Sequence, residues 1–181
     1  MGTRYLTIII ESDREPIAQI GSFDGHPLSN GVELLKTILR DRDMYIKDQL
    51  HRCSIIDENE YQKYLHNHAL DEEELEEAHP NFWWYDGADL LEELLDGDKT
   101  VEIRSSYEFA YNSLMCEWAY VIDYTTNTFE VYKGFNKQPL ESNERFYHDG
   151  YKSGEYYPVR QVFSFDLASL PSVKEFKMLF E

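Results

Sequence analysis

Five side chains able to bind or transform a small molecule lie beside apolar runs of the sequence: Arg4, Asp24, His26, Cys116 and Glu117. Arg4 comes before the first run, Asp24 and His26 follow the second, and Cys116 and Glu117 come before a third. If these runs are strands of one sheet, the five side chains meet at one rim, where polar groups from distant segments form binding or hydrolytic sites. We therefore expect a small-ligand site at this rim, without assigning a catalytic residue.

These polar residues also have structural interpretations, and the sequence leaves both kinds open. In "FDGHP", Asp24 can accept backbone hydrogen bonds in an Asx-turn, with Gly25 at positive φ and Pro27 fixing the exit. Arg4 can pair with Asp24 or with Glu117. Such an ion pair marks either a site or a structural clamp.

Cys116 is either a nucleophile or an inert core residue. A reactive thiolate needs a nearby base, and His26 is the only histidine close to these runs. Free cysteines, however, are among the most buried residue types. Strand alternation in "CEWAYVID" predicts Cys116 and Trp118 inward, with Glu117 towards the rim.

The histidines in the middle of the chain raise the question of a metal. His66, His68, Asp71 and His79 have side chains that ligate metals. Histidines two positions apart do not share a helical face, so a solvated acidic helix explains this stretch more simply. We expect no metal site and no cofactor.

The charge of the chain is uneven. The net charge is −18, and residues 71–98 hold 12 acidic and no basic side chains, which leaves only −6 for the other 153 residues. Such a surface repels phosphate backbones, so direct nucleic-acid binding is not expected. The segment also carries Phe82, Trp83, Trp84 and Tyr85, which either fill a local core or form a surface for a basic protein partner. An acidic interaction protein, for example a phage-encoded inhibitor that imitates nucleic acid, is therefore the alternative to a ligand site.

Short β-rich runs predict two hairpins. Residues 4 to 10 and 16 to 23 form the first, because a polar stretch separates two apolar ones. "EWAYVIDY" and "TFEVYKGF" form the second, with Asn127 suited to positive φ in the turn. "TVEIRS" and "YPVRQVFSFDL" predict further strands, and residues 136 to 157 a polar loop rich in tyrosine.

Apolar residues at helical spacing predict the helices. One covers about 30 to 41, a second lies in "DGADLLEELLDGD", and "SVKEFKMLF" closes the chain. "DMYIKDQLHRC" extends the first helix or begins another. "SYEFAYNSLM" predicts a helix with Phe109, Ala110 and Leu114 inward.

Two hairpins with additional strands and several helices indicate one α+β domain over residues 1–181, built on an antiparallel sheet. Residues 71–98 are expected to form an acidic helical cover on one side of that sheet. Only Cys53 and Cys116 are present, and no apolar stretch approaches the length of a membrane span. We therefore expect a cytoplasmic protein without a membrane segment.

Three segments together resemble a known family: "MGTRYLTIII", "IAQIGSFDGHPLSNGVELLKTIL" and "CEWAYVIDYTTNTFEVYKGF". They are similar to an uncharacterised family of small proteins found in bacteria, phages and filamentous fungi. The resemblance implies this fold rather than an activity. Its motif positions fall on Gly2, Thr3, Arg4, Gln19, Gly21, Asp24, Gly25, Pro27, Gly31, Cys116, Glu117, Trp118, Tyr120 and Asp123. This chain departs from the family pattern at Ile20, at "SF" and at His26, where relatives carry aromatic residues, and this weakens any stacking role there.

Overall fold

The computed structural model describes residues 2–56 and 87–181, and within them the predicted α+β class is confirmed. A mixed five-stranded sheet and a small two-stranded sheet are combined with four α-helices in these ranges. The strands are β1 (Tyr5–Ile10), β2 (Ile17–Gly21), β3 (Cys53–Ile55), β4 (Val101–Ile103), β5 (Trp118–Asp123), β6 (Thr128–Lys133) and β7 (Arg160–Asp166). The α-helices are α1 (Val32–Arg40), α2 (Tyr45–Gln49), α3 (Gly87–Asp96) and α4 (Val173–Met178). A π-helical turn, Pro27–Gly31, leads into α1, and 3₁₀ turns cover Leu50–Arg52, Tyr107–Tyr111 and Leu167–Ser169.

The five strands of the main sheet follow the order β2-β1-β5-β6-β7. Both predicted hairpins are present, and Asn127 has a φ of 59° in the turn of the second one. The hairpins join through β1 and β5, which run parallel with Tyr5 opposite Trp118. The sheet is therefore mixed, whereas the sequence had predicted an antiparallel one.

β5 is the central strand, and all six of its residues are buried. Trp118, Tyr120 and Ile122 contribute to the core on one face of the sheet, while Ala119 and Val121 contribute to the core on the other. A strand covered on both faces reads as a continuous apolar run instead of an alternating one. "WAYVID" fits this rule up to its last residue, Asp123.

Helices cover one face of the sheet. Leu35 of α1, Leu91 of α3 and Phe176 of α4 are completely buried in the core cluster that contains Tyr5 and Tyr120. The opposite face is covered by the 3₁₀ turn Tyr107–Tyr111 and by the loop after β6. Together they supply buried residues including Ala110, Leu140, Phe146 and Val159. The predicted inward helix in "SYEFAYNSLM" is wrong at its end, because only a 3₁₀ turn forms and Leu114 is 41% exposed.

The position of α3 is set at both of its ends. A Cβ atom added at Gly87 would lie 2.1 Å from Cβ of Thr7, so only glycine allows the helix to begin this close to β1. At the other end, Arg52 is 8% exposed and donates to the carbonyl oxygens of Glu93 and Leu94. A guanidinium there satisfies free carbonyls and complements the helix dipole.

Residues 87–96 confirm the predicted helix in the acidic segment, and α3 lies over β1 and β2 as a cover. The remainder of the proposed cover, up to residue 86, lies outside the described residues. In the described ranges, no helix has both the length and the apolar character needed to cross a bilayer.

Candidate functional site

The two hairpins lie side by side, which brings Arg4 of the first next to Glu117 of the second. Glu117 donates its backbone N–H to the carbonyl oxygen of Arg4 at 3.1 Å, and the Glu117 carboxylate accepts from the backbone N–H of Arg4 at 3.2 Å. Glu117 thus closes the start of the parallel β1–β5 pair. At this position its carboxylate serves as an acceptor for the backbone.

The predicted ion pair of Arg4 is not formed. Within residues 2–56 and 87–181, no salt bridge joins Arg4 to Asp24 or to Glu117. Its guanidinium instead approaches the sulfur of Met115, with Nη1 3.2 Å from Sδ. Arg4 therefore holds the two hairpins together through its backbone hydrogen bonds and not through an ion pair.

His26 caps the π-helical turn that leads into α1. Its Nδ1 accepts a hydrogen bond from the backbone N–H of Leu28 at 3.2 Å, which requires the proton to be on Nε2. Its ring lies edge-on to Trp118, with the centroids 5.4 Å apart. His26 therefore has a structural role at the rim.

Cys116 is completely buried, and its thiol donates to the carbonyl oxygen of Trp118 at 3.2 Å. Burial raises the pKa of this thiol far above its usual value, and the nearby Glu117 adds to the effect. The thiolate that a nucleophile requires is disfavoured here. Cys116 and Trp118 are both inward, but they lie in opposite core clusters because Cys116 precedes the regular part of β5.

Asp24 carries the strained backbone of the "FDGHP" turn. Asp24 has a φ of 54°, whereas Gly25, predicted to hold positive φ, does not. Glycine is needed at position 25 because a Cβ atom would lie 2.4 Å from the ring of Tyr5. The carbonyl oxygen of Asp24 accepts from the backbone N–H of Asn30 at 3.1 Å, and the residue is exposed.

Next to this turn lies a cleft of about 290 Å³, which we call the acidic cleft. The β2–α1 connection and the first turn of α1 form one wall, and α3 forms the other. Its lining residues are Tyr5, Phe23, Asp24, Ser29, Asn30, Glu33, Ala88, Asp89 and Glu92. Of the five predicted rim residues, Asp24 alone lines it.

Among the described residues, the lining of the acidic cleft carries four carboxylates and no basic side chain: Asp24, Glu33, Asp89 and Glu92. Glu33 lies 2.8 Å from the exposed Lys36, and Glu92 lies 3.5 Å from the exposed Arg40. Exposed ion pairs of this kind are weak and readily exchanged. The cleft therefore retains a negative potential that favours a cation.

Two further residues distinguish this cleft from an ordinary acidic surface. Asn30 is only 6% exposed, and within the described ranges its side-chain Nδ2 has no hydrogen-bond partner. Buried amide groups of this kind are normally paired. Phe23, at the mouth, is 74% exposed, the largest value among the large apolar side chains of the described residues.

A second polar cluster was not predicted from the sequence. Arg145, from the loop after β6, bridges Asp123 of β5 and Glu130 of β6, with contacts of 2.7 Å and 2.8 Å. The hydroxyl of Tyr132 donates to Glu130 at 2.6 Å, and Thr125 donates to Asp123. In the sequence, the signal for this cluster is that Asp123 and Glu130 are acidic residues within largely apolar strands.

The pKa values of this cluster fit a stabilised ion network. Burial alone would raise the pKa of Asp123, but hydrogen bonds from Thr125 and Arg145 lower it to about 2. The pKa of Glu130 is also lowered, since hydrogen bonds from Arg145 and Tyr132 outweigh its burial. Burial and the bond to Glu130 raise the pKa of Tyr132. Because its charges are mutually paired, the cluster joins loop to sheet and offers no free reactive group.

The remaining predicted residues lie outside this geometry. Phe82, Trp83, Trp84 and Tyr85, proposed as a partner surface, fall outside the described residues, as do the histidines considered as metal ligands. Within residues 2–56 and 87–181, no group of three or more His, Cys, Asp or Glu side chains is arranged to hold a metal ion.

Comparisons of the chain with protein-family models, curated proteins and solved structures found no match. The family resemblance of the three motif segments therefore stays a prediction.

Proposed function

We propose that this protein is a binding protein whose acidic cleft takes an organic cation. The observation that carries the proposal is the pairing of four carboxylates with the exposed ring of Phe23 around one cleft. A small amine and the side chain of a lysine or arginine on a basic protein share this chemistry. The proposal thus applies to the ligand-site hypothesis and to the basic-partner hypothesis alike.

An ammonium or guanidinium group has two favourable interactions at this position. The carboxylates attract it over a distance of about a Debye length, near 8 Å at physiological salt. At closer range an aromatic face attracts a cation through its quadrupole, and Phe23 is free to provide one. The apolar stem of an organic cation contacts Phe23 as well, which a metal ion cannot do.

The proposal is for binding and not for hydrolysis. The thiol of Cys116 is buried and its pKa is raised, while Nδ1 of His26 is engaged by Leu28. The groups that would act as nucleophile and base are therefore both committed to the fold. In the part of the chain that the structure describes, no histidine, cysteine or lysine lines the acidic cleft.

Calorimetric titration tests the proposal with two probes, spermidine as a small amine and tetralysine as a stand-in for a basic protein. We expect binding in about 0.02 M NaCl that weakens strongly in about 0.3 M NaCl, because salt screens exposed charges. Asp24→Asn should weaken binding about fivefold, which corresponds to about 1 kcal/mol. Asp13→Asn removes the same charge from an exposed position outside the lining and is the matched control.

A variant without the aromatic ring distinguishes binding in this cleft from nonspecific charge attraction to the surface. Phe23→Ala should weaken both probes, although it leaves the net charge unchanged. Binding of spermidine alone would indicate a small ligand, and preference for tetralysine a basic partner. If neither probe binds at low salt, or if Asp13→Asn weakens binding as much as Asp24→Asn does, the proposal is wrong.

A further inference from the structure

A separate groove lies on the other side of the first hairpin, along β2. In residues 2–56 and 87–181, β2 is an edge strand of the main sheet, with β1 as its one partner in the ladder. The groove has a volume of about 870 Å³, within the range of ligand sites. We call it the edge groove. The described residues that line it are different from those that line the acidic cleft.

The backbone of β2 presents hydrogen-bonding groups to this groove. The carbonyl oxygens of Arg4 and Ile10 accept hydrogen bonds from backbone N–H groups at the two ends of β5. The N–H and C=O groups of the even-numbered residues of β1 therefore point towards β5, and those of the odd-numbered residues point towards β2. The antiparallel register then pairs Gln19 with Thr7, and Ala18 and Ile20 direct their N–H and C=O groups outward.

The protein itself shows how this edge is used. The backbone N–H of Ser106 donates to the carbonyl oxygen of Ala18 at 2.8 Å, and the hydroxyl of Ser105 donates to that of Pro16 at 2.7 Å. This contact ends before Ile20. Within the described residues, no hydrogen bond reaches the outward backbone groups of Ile20, a residue that lines the edge groove.

Aromatic side chains form the opposite wall of the edge groove. Tyr107 and Tyr111 contact each other edge-on at 6.3 Å. Tyr107 also packs on Phe146, and Tyr111 packs on Tyr151, so both rings are held in place before any ligand arrives. Asn112 adds a buried side-chain oxygen without a hydrogen-bond partner in the described part of the chain.

We propose that the edge groove binds an extended peptide, which adds a strand to β2 at Ile20. An extended chain is the ligand that offers alternating N–H and C=O groups at the spacing of a strand edge. Its alternate side chains would contact Tyr107 and Tyr111. Because Glu15 and Glu108 line the groove together with Arg104, a lysine or arginine in the peptide is favoured over an acidic residue.

The experiment selects binders from a library of random heptapeptides displayed on phage, using the full-length protein as bait. One selected peptide is then synthesised with each backbone amide methylated in turn, and binding is measured by fluorescence polarisation. We expect methylation at every second amide to weaken binding at least about tenfold, while the amides in between tolerate it.

Variants of Ile20 locate the binding to this edge. Ile20→Pro removes the outward N–H, a change that an edge strand tolerates, and should abolish binding. Ile20→Thr keeps that N–H and should retain most of it, and circular dichroism shows whether each variant is folded. If Ile20→Pro does not fold, the methylation series on the peptide decides the question alone.

Several results would overturn the proposal. These are failure to enrich any peptide, a methylation series without the two-residue period, and unchanged binding to folded Ile20→Pro. A concentration-dependent dimer that Ile20→Pro dissociates would assign the edge to a second copy of this chain instead. Asp24→Asn should leave peptide binding intact, which keeps this test separate from the acidic cleft.

Discussion

Two acidic residues at the rim show that side chains of the same chemical type can have different roles. Glu117 and Asp24 are both carboxylates next to strand ends, yet the first accepts a backbone N–H and the second faces a cleft. The sequence identifies residues of the right type near a strand end. It does not indicate which of them the backbone will engage, because that depends on hydrogen-bond partners far away in the chain.

The turn at "FDGHP" illustrates the same limit. Glycine next to aspartate predicts positive φ at glycine, since glycine adopts it at the least cost. Here aspartate takes that conformation, and glycine is required instead by the ring of Tyr5 above it. The steric requirement comes from β1, so local sequence could not reveal it.

Arg145 provides the first prediction at this scale. Arg145→Met should lower the free energy of unfolding by about 3 kcal/mol, because it leaves Asp123 and Glu130 buried without a counter-charge. Urea unfolding followed by circular dichroism measures the change. Arg40→Met is the control, since Arg40 pairs with Glu92 and Asp96 at an exposed position and should cost less than about 1 kcal/mol. Equal losses in the two variants would contradict the assigned role of Arg145.

At the scale of elements, local patterns predicted each hairpin, but they did not predict that the two hairpins pair in parallel. Alternation and turn residues define each hairpin within about 20 residues of sequence, as the first and second hairpins show. The parallel pairing of β1 with β5 joins segments more than 100 residues apart, and nothing local encodes it. The same holds for β3, which pairs in parallel with β4 and was not predicted as a strand.

The acidic cleft was missed for a related reason. Its walls come from the β2–α1 connection and from α3, which belongs to the acidic segment and lies far along the chain from that connection. The sequence identified the acidic segment and Asp24 separately, but not that α3 would bring Asp89 and Glu92 opposite Asp24. Arg52 and Gly87 fix that arrangement, and each acts through a contact with a distant element.

The closing helix α4 gives the prediction for this scale. Ser172 accepts from the backbone N–H of Glu175, and the Glu175 carboxylate accepts from that of Ser172, a complete capping box. A helix of six residues depends strongly on its cap, and α4 carries the buried Phe176. Ser172→Ala should therefore cost about 1 kcal/mol in urea unfolding.

The control for that change is Ser169→Ala, at an exposed serine in the preceding 3₁₀ turn. It should change the free energy of unfolding by less than about 0.5 kcal/mol. An equally stable Ser172→Ala protein would show that packing of Phe176 holds α4 without help from its cap.

For the whole molecule, the dominant property is the net charge of −18. Repulsion among surface carboxylates opposes the compact state at neutral pH, and protonation on acidification relieves it. The cluster around Arg145 responds in the opposite sense. Its carboxylates are stabilised in the charged form only in the folded protein, so protonation removes a contribution to stability.

The pH dependence of stability should show which of these effects prevails below pH 4. Because the pKa of Asp123 falls from 3.8 to about 2 on folding, its contribution is complete above the unfolded value and is lost as the pH falls through the folded one. Glu130, whose pKa is also lowered, acts in the same direction. We expect the free energy of unfolding to decrease between about pH 4 and about pH 2, measured by urea unfolding at each pH. Arg145→Met should flatten this decrease, since the guanidinium is one of the groups that lower the pKa of both carboxylates. A wild-type protein whose stability stays level or rises over this interval would mean that relief of surface repulsion outweighs the cluster, and that Arg145 organises the loop without setting the acid limit of the fold.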